Sequence, residues 1–399
     1  MLKTTIRKDQ REERRISQAL MASFVILTVQ YFVLVSLNLM DTPMGARVQL
    51  MSKAVVGIVF LYALPIVLKR SLKRFLFVYW GAALLFMIHY FVFPQNQVQM
   101  QTLFMDIFFI SMPTFIYSMA ISDFDIFKRS MQQAASIVMV FGTLTAIYAF
   151  TGRASVGTYS MSLSYYMLLP TLIYIDRMID KFSFRHLLLF LVSLVVIISL
   201  GARGPLMCIG VFFLLKIMKP DAKWTKLRVM VFGSLIAGLV GGIVFLNEIL
   251  LLLDNFFRGF GISSRTLRLL MRGNIHLSGR ERLYQLVLPE IGDRPFTGIG
   301  LAGDYRIIGN YVHNFFIEVL GNFGIVLGGL LIGLLLILVL RLLRNSYEQA
   351  YGLIALWLSL GFVHLMVSGS YLIDIQFWIF LGIVVNFSLG TGRKENERY

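Results

Sequence analysis

Runs of about 20 apolar residues, the length needed to cross a hydrocarbon core, follow one another along almost the whole chain. They predict membrane helices near 17–40, 52–68, 75–93, 101–121, 132–150, 157–176, 184–201, 205–218, 227–251, 320–342, 350–368 and 372–390. The weakest boundary is the hairpin at Gly201 and Pro205, because Leu187 to Met218 is nearly continuous. The first run is longer than the apolar core of a signal peptide and has no small-residue cleavage site, so it is read as a retained helix. The fold class predicted is all-α: one polytopic membrane domain over 1–399, about twelve transmembrane helices, with a long outer-side loop carrying short helices over 254–319.

The polar breaks alternate in charge. Lys3, Arg7, Lys8, Arg11, Arg14 and Arg15 precede the first run. Every second connection is again basic, as at Lys69, Arg70, Lys73 and Arg74, or Lys128 and Arg129. The connections between them are nearly bare, and 94–100 carries no charge. Basic residues concentrate in short cytoplasmic loops, so both termini are expected in the cytoplasm. Hydrophobic residues at 57% and charged residues at 15% agree with lipid as the main solvent. The net charge of +16 lies mainly in the topology-bearing breaks, and no soluble basic domain is present to hold nucleic acid. Cys208 is single, which excludes an intrachain disulfide.

The segment from Asp254 to Asn310 departs from the alternation. It holds Arg258, Arg265, Arg268, Arg272, Arg280, Arg282, Arg294 and Arg306, and no lysine. Long loops cross regardless of charge. Arginine presents a planar fork to phosphate oxygens. Such a loop can either receive an anionic headgroup or fold on its own ion pairs. Arg203, between Gly201 and Pro205 at the outer end of an apolar hairpin, is either a snorkelling interfacial arginine or an anion-binding one. Gly298-Ile299-Gly300-Leu301-Ala302-Gly303 matches a dinucleotide motif by letter, but an outer loop lacks the strand that motif requires. A tight turn permitting close backbone approach to a ligand is expected instead. Apolar positions at Val312, Phe315, Phe316, Val319 and Leu320 predict a helix opened by His313. Among the five histidines, His313 is the best general-base candidate, and His89 and His364 suit structural roles. No pair of histidines has metal-ligand spacing, and no cofactor is expected.

Taken in order, Ser278, Gly279, Arg280, Tyr284, the turn Pro295-Phe296-Thr297-Gly298-Ile299-Gly300, His313, Asn314 and Gly324 resemble the bacterial O-antigen ligase and polymerase family. Gly201 to Pro205 is similar to an earlier element of that family. Ala202 stands where serine is common there, and Tyr284 where tryptophan is common. The likeness covers roughly 201–324. It implies a GT-C-like fold and glycosyl transfer from undecaprenyl diphosphate-linked oligosaccharides. A polymerase would move the glycan onto a new lipid-linked repeat unit, for O-antigen, capsule or exopolysaccharide. A ligase would move it onto lipid A-core. A flippase for lipid-linked saccharides is the alternative from another class.

On that resemblance Arg203 and Arg280 would hold the diphosphate, with Arg282 and Arg265 in reserve, and His313 would take the acceptor's proton. Asn314, Tyr284, Gly298 and Gly300 are further substrate-binding candidates. No D-x-D or acidic cluster lies in the outer segments, so a metal-independent, inverting displacement is expected. Glu318, five residues after His313, is off its helical face. No carboxylate orienting His313 is identifiable from sequence. A chain-length regulator and a flippase of the same pathway are the candidate protein partners.

Overall fold

The computed structural model describes residues 2–150, 161–199, 203–219, 246–259, 280–345 and 348–390. Among these the regular structure is helical, without a strand. The chain divides into two compact units. One comprises Met1–Ala22, Val56–Met131 and His276–Tyr399; the other comprises Ser23–Val55 and Gln132–Ile275.

Helices α1 (Leu2–Ser36) and α2 (Pro43–Val92) contribute to both units. The sequence predicts spans 52–68 and 75–93; the structure has one 50-residue helix interrupted by non-helical backbone at Ser71. Each part is long enough to cross a bilayer. The next span is α3 (Gln97–Asp106) and α4 (Met112–Met119), joined by a π turn over Ile107–Ser111. Pro113 follows that turn. Proline has no N–H for the regular ladder, and the Met112 N–H bonds instead to the Ile107 carbonyl five residues back. Helix α5 (Phe124–Phe150) then leads into the second unit.

The second unit contains α6 (Met161–Tyr166), α7 (Leu168–Asp180), α8 (Phe184–Ser199), α9 (Arg203–Ile217) and α10 (Leu246–Gly259). Lys216 joins Asp176 at 2.6 Å and Asp180 at 2.9 Å, which fixes the end of α9 on α7. Most of the predicted span 227–251 lies outside the described residues, with Gly238 and Gly242. Its helical end runs beyond the expected stop at 251 to Gly259, and an Asp254–Arg258 pair at 2.7 Å, one turn apart, supports the extension.

The first unit is completed by α11 (Arg280–Gly292), α12 (Gly303–Ile308), α13 (Phe315–Asn345), α14 (Glu348–Trp357) and α15 (Ile375–Ser388). After Trp357 the helix loosens into a π turn, Leu358–Phe362, and a 3₁₀ turn, Val363–Met366. Helix α15 packs on α4, where Asn386 donates to the Ile121 carbonyl at 2.7 Å. Residues 367–374 connect α14 to α15.

Five described helices are long and apolar enough to cross a membrane: Asp9–Ser36, Pro43–Val92, Pro94–Met119, Phe124–Tyr148 and Phe315–Arg344. Phe77, Trp80 and Phe91 on α2 and Leu330, Ile337 and Leu340 on α13 are exposed. Exposed apolar faces of this extent suit lipid and not water. In the first unit Glu13, Arg70 and Ser122 meet one another at one place, and Asn96 meets Ile299 and Leu301 at another.

Candidate functional site

The site grows from a turn docked on a broken helix. Gly298 (φ +66°) lets Ile299 N–H reach the Gly321 carbonyl at 2.7 Å. Gly324 (φ +79°) breaks α13, freeing Ile325 N–H to reach the Pro295 carbonyl at 2.6 Å. A Cβ at position 298 would lie 2.2 Å from the Gly321 oxygen, and one at 324 would lie 2.5 Å from the Phe296 oxygen. Only glycine permits both the backbone and the approach. Gly300 lies against the Phe93 ring. The close contacts of Gly298 and Gly300 are therefore with the chain itself. The loop has no preceding strand among the described residues.

Asn96 and His89 then fix this turn. The Asn96 amide donates to the Ile299 and Leu301 carbonyls at 2.8 and 3.1 Å and accepts from Arg306 Nε at 3.0 Å. His89 Nδ1 accepts from Leu301 N–H at 3.1 Å. The underside is apolar: Val287, Ile291, Ile299 and Val312 form one buried cluster, with Tyr284 packed on it.

This frame presents a short loop. Asp304, buried in α12, accepts Val312 N–H on Oδ2 at 3.1 Å. The next residue, His313, has φ +59°, a left-handed conformation that a non-glycine residue holds at a cost of about 1–3 kcal/mol. Asn314 Oδ1 accepts from Phe316 and Ile317 N–H at 3.0 and 3.2 Å, which caps the helix. The predicted helix start at His313 is thus moved to Phe315: His313 is on the turn and Asn314 is the cap.

His313 is half-buried, with the Tyr311 ring set edge-on at 4.3 Å between centroids. Burial first, and the Arg280 guanidinium second, push its imidazole down to about 4. It is neutral at pH 7. No hydrogen bond reaches its Nδ1 among the described residues, so no carboxylate orients it. Its orientation comes from the backbone on either side. Tyr311 is raised by burial and by the charges of Asp374 and Glu318, with Arg280 opposing. One neighbourhood therefore holds His313, Tyr311, Arg280, Glu318 and Asp374.

Of the predicted residues, Arg280 is placed where its charge acts on His313, and Asn314 follows His313 in the chain. Arg282 is exposed on α11, and Tyr284 belongs to the apolar cluster. Arg203 opens α9, but its side chain lies outside the described residues, as does all of Arg265.

Four residues that sequence reasoning did not assign complete the surroundings. Asp304 holds the loop. Glu318 accepts from Ser370 Oγ and, at 3.2 Å, from Tyr371 N–H, which ties the 367–374 connection to α13. Asn322, one turn on, donates to the Tyr371 hydroxyl at 2.7 Å. Asp374 caps α15 and meets His364 Nε2 at 2.9 Å. Among the described residues no group of three or more His, Cys, Asp or Glu side chains is arranged to hold a metal ion. Comparison of the chain with family models, curated proteins and solved structures returns no match.

Chemically, the arrangement offers a neutral imidazole, able to take a proton, inside the field of a guanidinium able to hold an anion.

Proposed function

We propose that the chain is a polysaccharide polymerase. It would transfer a growing glycan from undecaprenyl diphosphate onto a lipid-linked repeat unit at the outer face of the cytoplasmic membrane. The twelve-span topology, the GT-C-like fold and the inner-membrane location belong to the same reading. The observation that carries it is His313: an imidazole kept neutral, in a left-handed turn, beside Arg280.

In the proposed step the acceptor hydroxyl oxygen bonds to the anomeric carbon as the bond from that carbon to the diphosphate oxygen breaks. The hydroxyl proton passes to His313. The diphosphate leaves with the electron pair, and Arg280 binds its oxygens. One preorganised donor at developing charge contributes roughly 2.7–4 kcal/mol. A guanidinium there would supply part of the stabilisation that a metal ion otherwise gives. Attack from the side opposite the diphosphate inverts the anomeric centre.

The test is incubation of purified protein with diphosphate-linked repeat units in excess chelator. A ladder of longer glycans is expected, lost in Arg280→Ala and His313→Ala. A reaction that needs lipid A-core would make the chain a ligase. Movement of lipid between leaflets without product would make it a flippase. Loss of activity in chelator would end the metal-independent mechanism.

A further inference from the structure

Two carboxyl groups near His313 lack the compensation that buried charge requires. Asp304 and Glu318 are each 2% exposed, and the charge of Asp304 acts on Glu318. Neither is ion-paired among the described residues. The charged and titratable groups around them are Tyr305, Tyr311, Tyr371, Asp374 and Arg280. Arg280 is the one cation of that set, and its effect falls on Tyr311 and His313.

Two neighbouring buried carboxylates with no counter-ion cannot both stay ionised, because each penalises the charge on the other. The hydrogen bonds point the same way. Glu318 accepts from Ser370 and Tyr371. Asp304 accepts Val312 N–H on one oxygen, while the other, Oδ1, is buried without a hydrogen-bond partner. A lone oxygen in such a place is costly as a carboxylate and far less so as part of a protonated acid.

We propose that Asp304 and Glu318 share one proton at neutral pH, and that Asp304 is the positioning residue that holds the Val312–His313 turn in its working shape. Each of the two carboxyl groups holds a non-helical stretch of chain. Asp304 grips the His313 turn, and Glu318 grips Ser370 and Tyr371. A single net charge lets both grips persist in a buried place. Burial pushes Asp304 up to about 6, against the pull of nearby backbone N–H groups, in the direction this sharing requires. The positioning role rests on the transfer reaction proposed above; the shared proton does not.

The two claims are read separately. Infrared difference spectra of the purified wild-type protein at pH 7 are expected to show the carbonyl stretch of an un-ionised carboxylic acid. It is lost in Asp304→Asn and in Glu318→Gln, where one remaining carboxyl takes the charge. No such band in wild type, or a band unchanged in both variants, overturns the shared proton whatever the protein's activity. For the positioning claim, Asp304→Ala removes the acceptor of Val312 N–H. It should lower kcat on the order of 100-fold, the cost of a displacement of about 1 Å, with KM unchanged. Asp304→Asn keeps an acceptor oxygen and should restore kcat. Wild-type kcat in Asp304→Ala, or equal loss in Asp304→Asn, overturns the positioning role. If Asp304→Ala does not fold, the Asp304→Asn rate and the infrared band decide. Lack of transfer by the wild type, with the acid band present, would overturn the polymerase reading and leave the proton-sharing pair in place.

Discussion

The first unit buries carboxylates at two places, and they are handled in opposite ways. At one end of the second half of α2, Glu13 is 1% exposed and fully engaged. It takes Arg70 Nη1 at 2.6 Å, Ser122 N–H at 3.0 Å and Ser122 Oγ at 2.8 Å, and Arg70 also donates to the Ala120 carbonyl at 2.7 Å. Roughly 30 Å along the helix, by its rise per residue, the glycine turn at Ile299–Leu301 docks on His89 and Asn96. Beyond that contact Asp304 and Glu318 have no cation, one oxygen is unpaired, and His313 sits at positive φ. Charge, donors and backbone agree at Glu13, so that knot serves only to fix α1, the break in α2 and the start of α5. They conflict around His313. A fold tolerates such conflict where chemistry uses it.

The largest expected effect removes the chemistry from the strained end. His313→Ala should lower transfer by about 10²–10⁴-fold, the usual contribution of a general base, without loss of the folded membrane protein. His313→Gly sharpens the point. Glycine accepts positive φ freely, so this variant should be equally inactive and more stable by about 1 kcal/mol. Thermal unfolding in detergent and the product ladder read the two halves. An active His313→Gly would remove the imidazole from the mechanism.

Next in size is the satisfied end. Glu13→Ala leaves the part-buried Arg70 without its carboxylate partner, which costs at most about 3–5 kcal/mol. The loss should appear as a lower unfolding midpoint, while protein that remains folded keeps its KM. Changed KM without changed stability would mean that the knot is not merely structural.

A smaller effect separates the two carboxylate sites by pH. Asp304 is raised to about 6 from an ordinary 3.8. A raised carboxyl stabilises the fold fully below the unfolded value, and that stability is lost as pH climbs through the folded one. Wild type should therefore lose stability between about pH 4 and pH 6. Asp304→Asn cannot ionise and should exceed wild type at pH 8 by at most about 3 kcal/mol, with no advantage at pH 4. A constant difference across that range would show that Asp304 does not titrate in the folded protein.

What could be read from sequence follows from which features are periodic. The long apolar helices are visible because burial in lipid demands unbroken runs. His313 stood out because the chain has only five histidines, and Arg280 because of its place among the residues that carry the family resemblance. Gly298, Gly300 and Gly324 were visible as a motif, but their role as contacts between a turn and a broken helix needed coordinates. Asp304, Glu318, Ser370 and Asp374 were not legible. A lone acid in a loop has no period, and Glu318 finds Ser370 52 residues away. Helical-face reasoning set Glu318 apart from His313 on a helix that His313 does not join, and could not show what Glu318 faced instead.

The smallest effect decides a residue that belongs to both ends of the comparison. Asn314 was singled out beside His313 as a substrate ligand, and its oxygen is occupied by two backbone N–H groups of α13. As a cap it is satisfied in the manner of Glu13; as the neighbour of His313 it lies at the proposed reacting centre. Substituting an N-cap asparagine by alanine typically costs about 1 kcal/mol, while serine or aspartate keeps the acceptor. If Asn314 only caps, Asn314→Ala lowers the unfolding midpoint slightly, and Asn314→Ser and Asn314→Asp restore both stability and transfer. If its amide nitrogen also binds saccharide, Asn314→Asp restores stability but not KM, because a carboxylate has no N–H to donate. The split between stability and KM across these three variants assigns the residue to the scaffold or to the substrate.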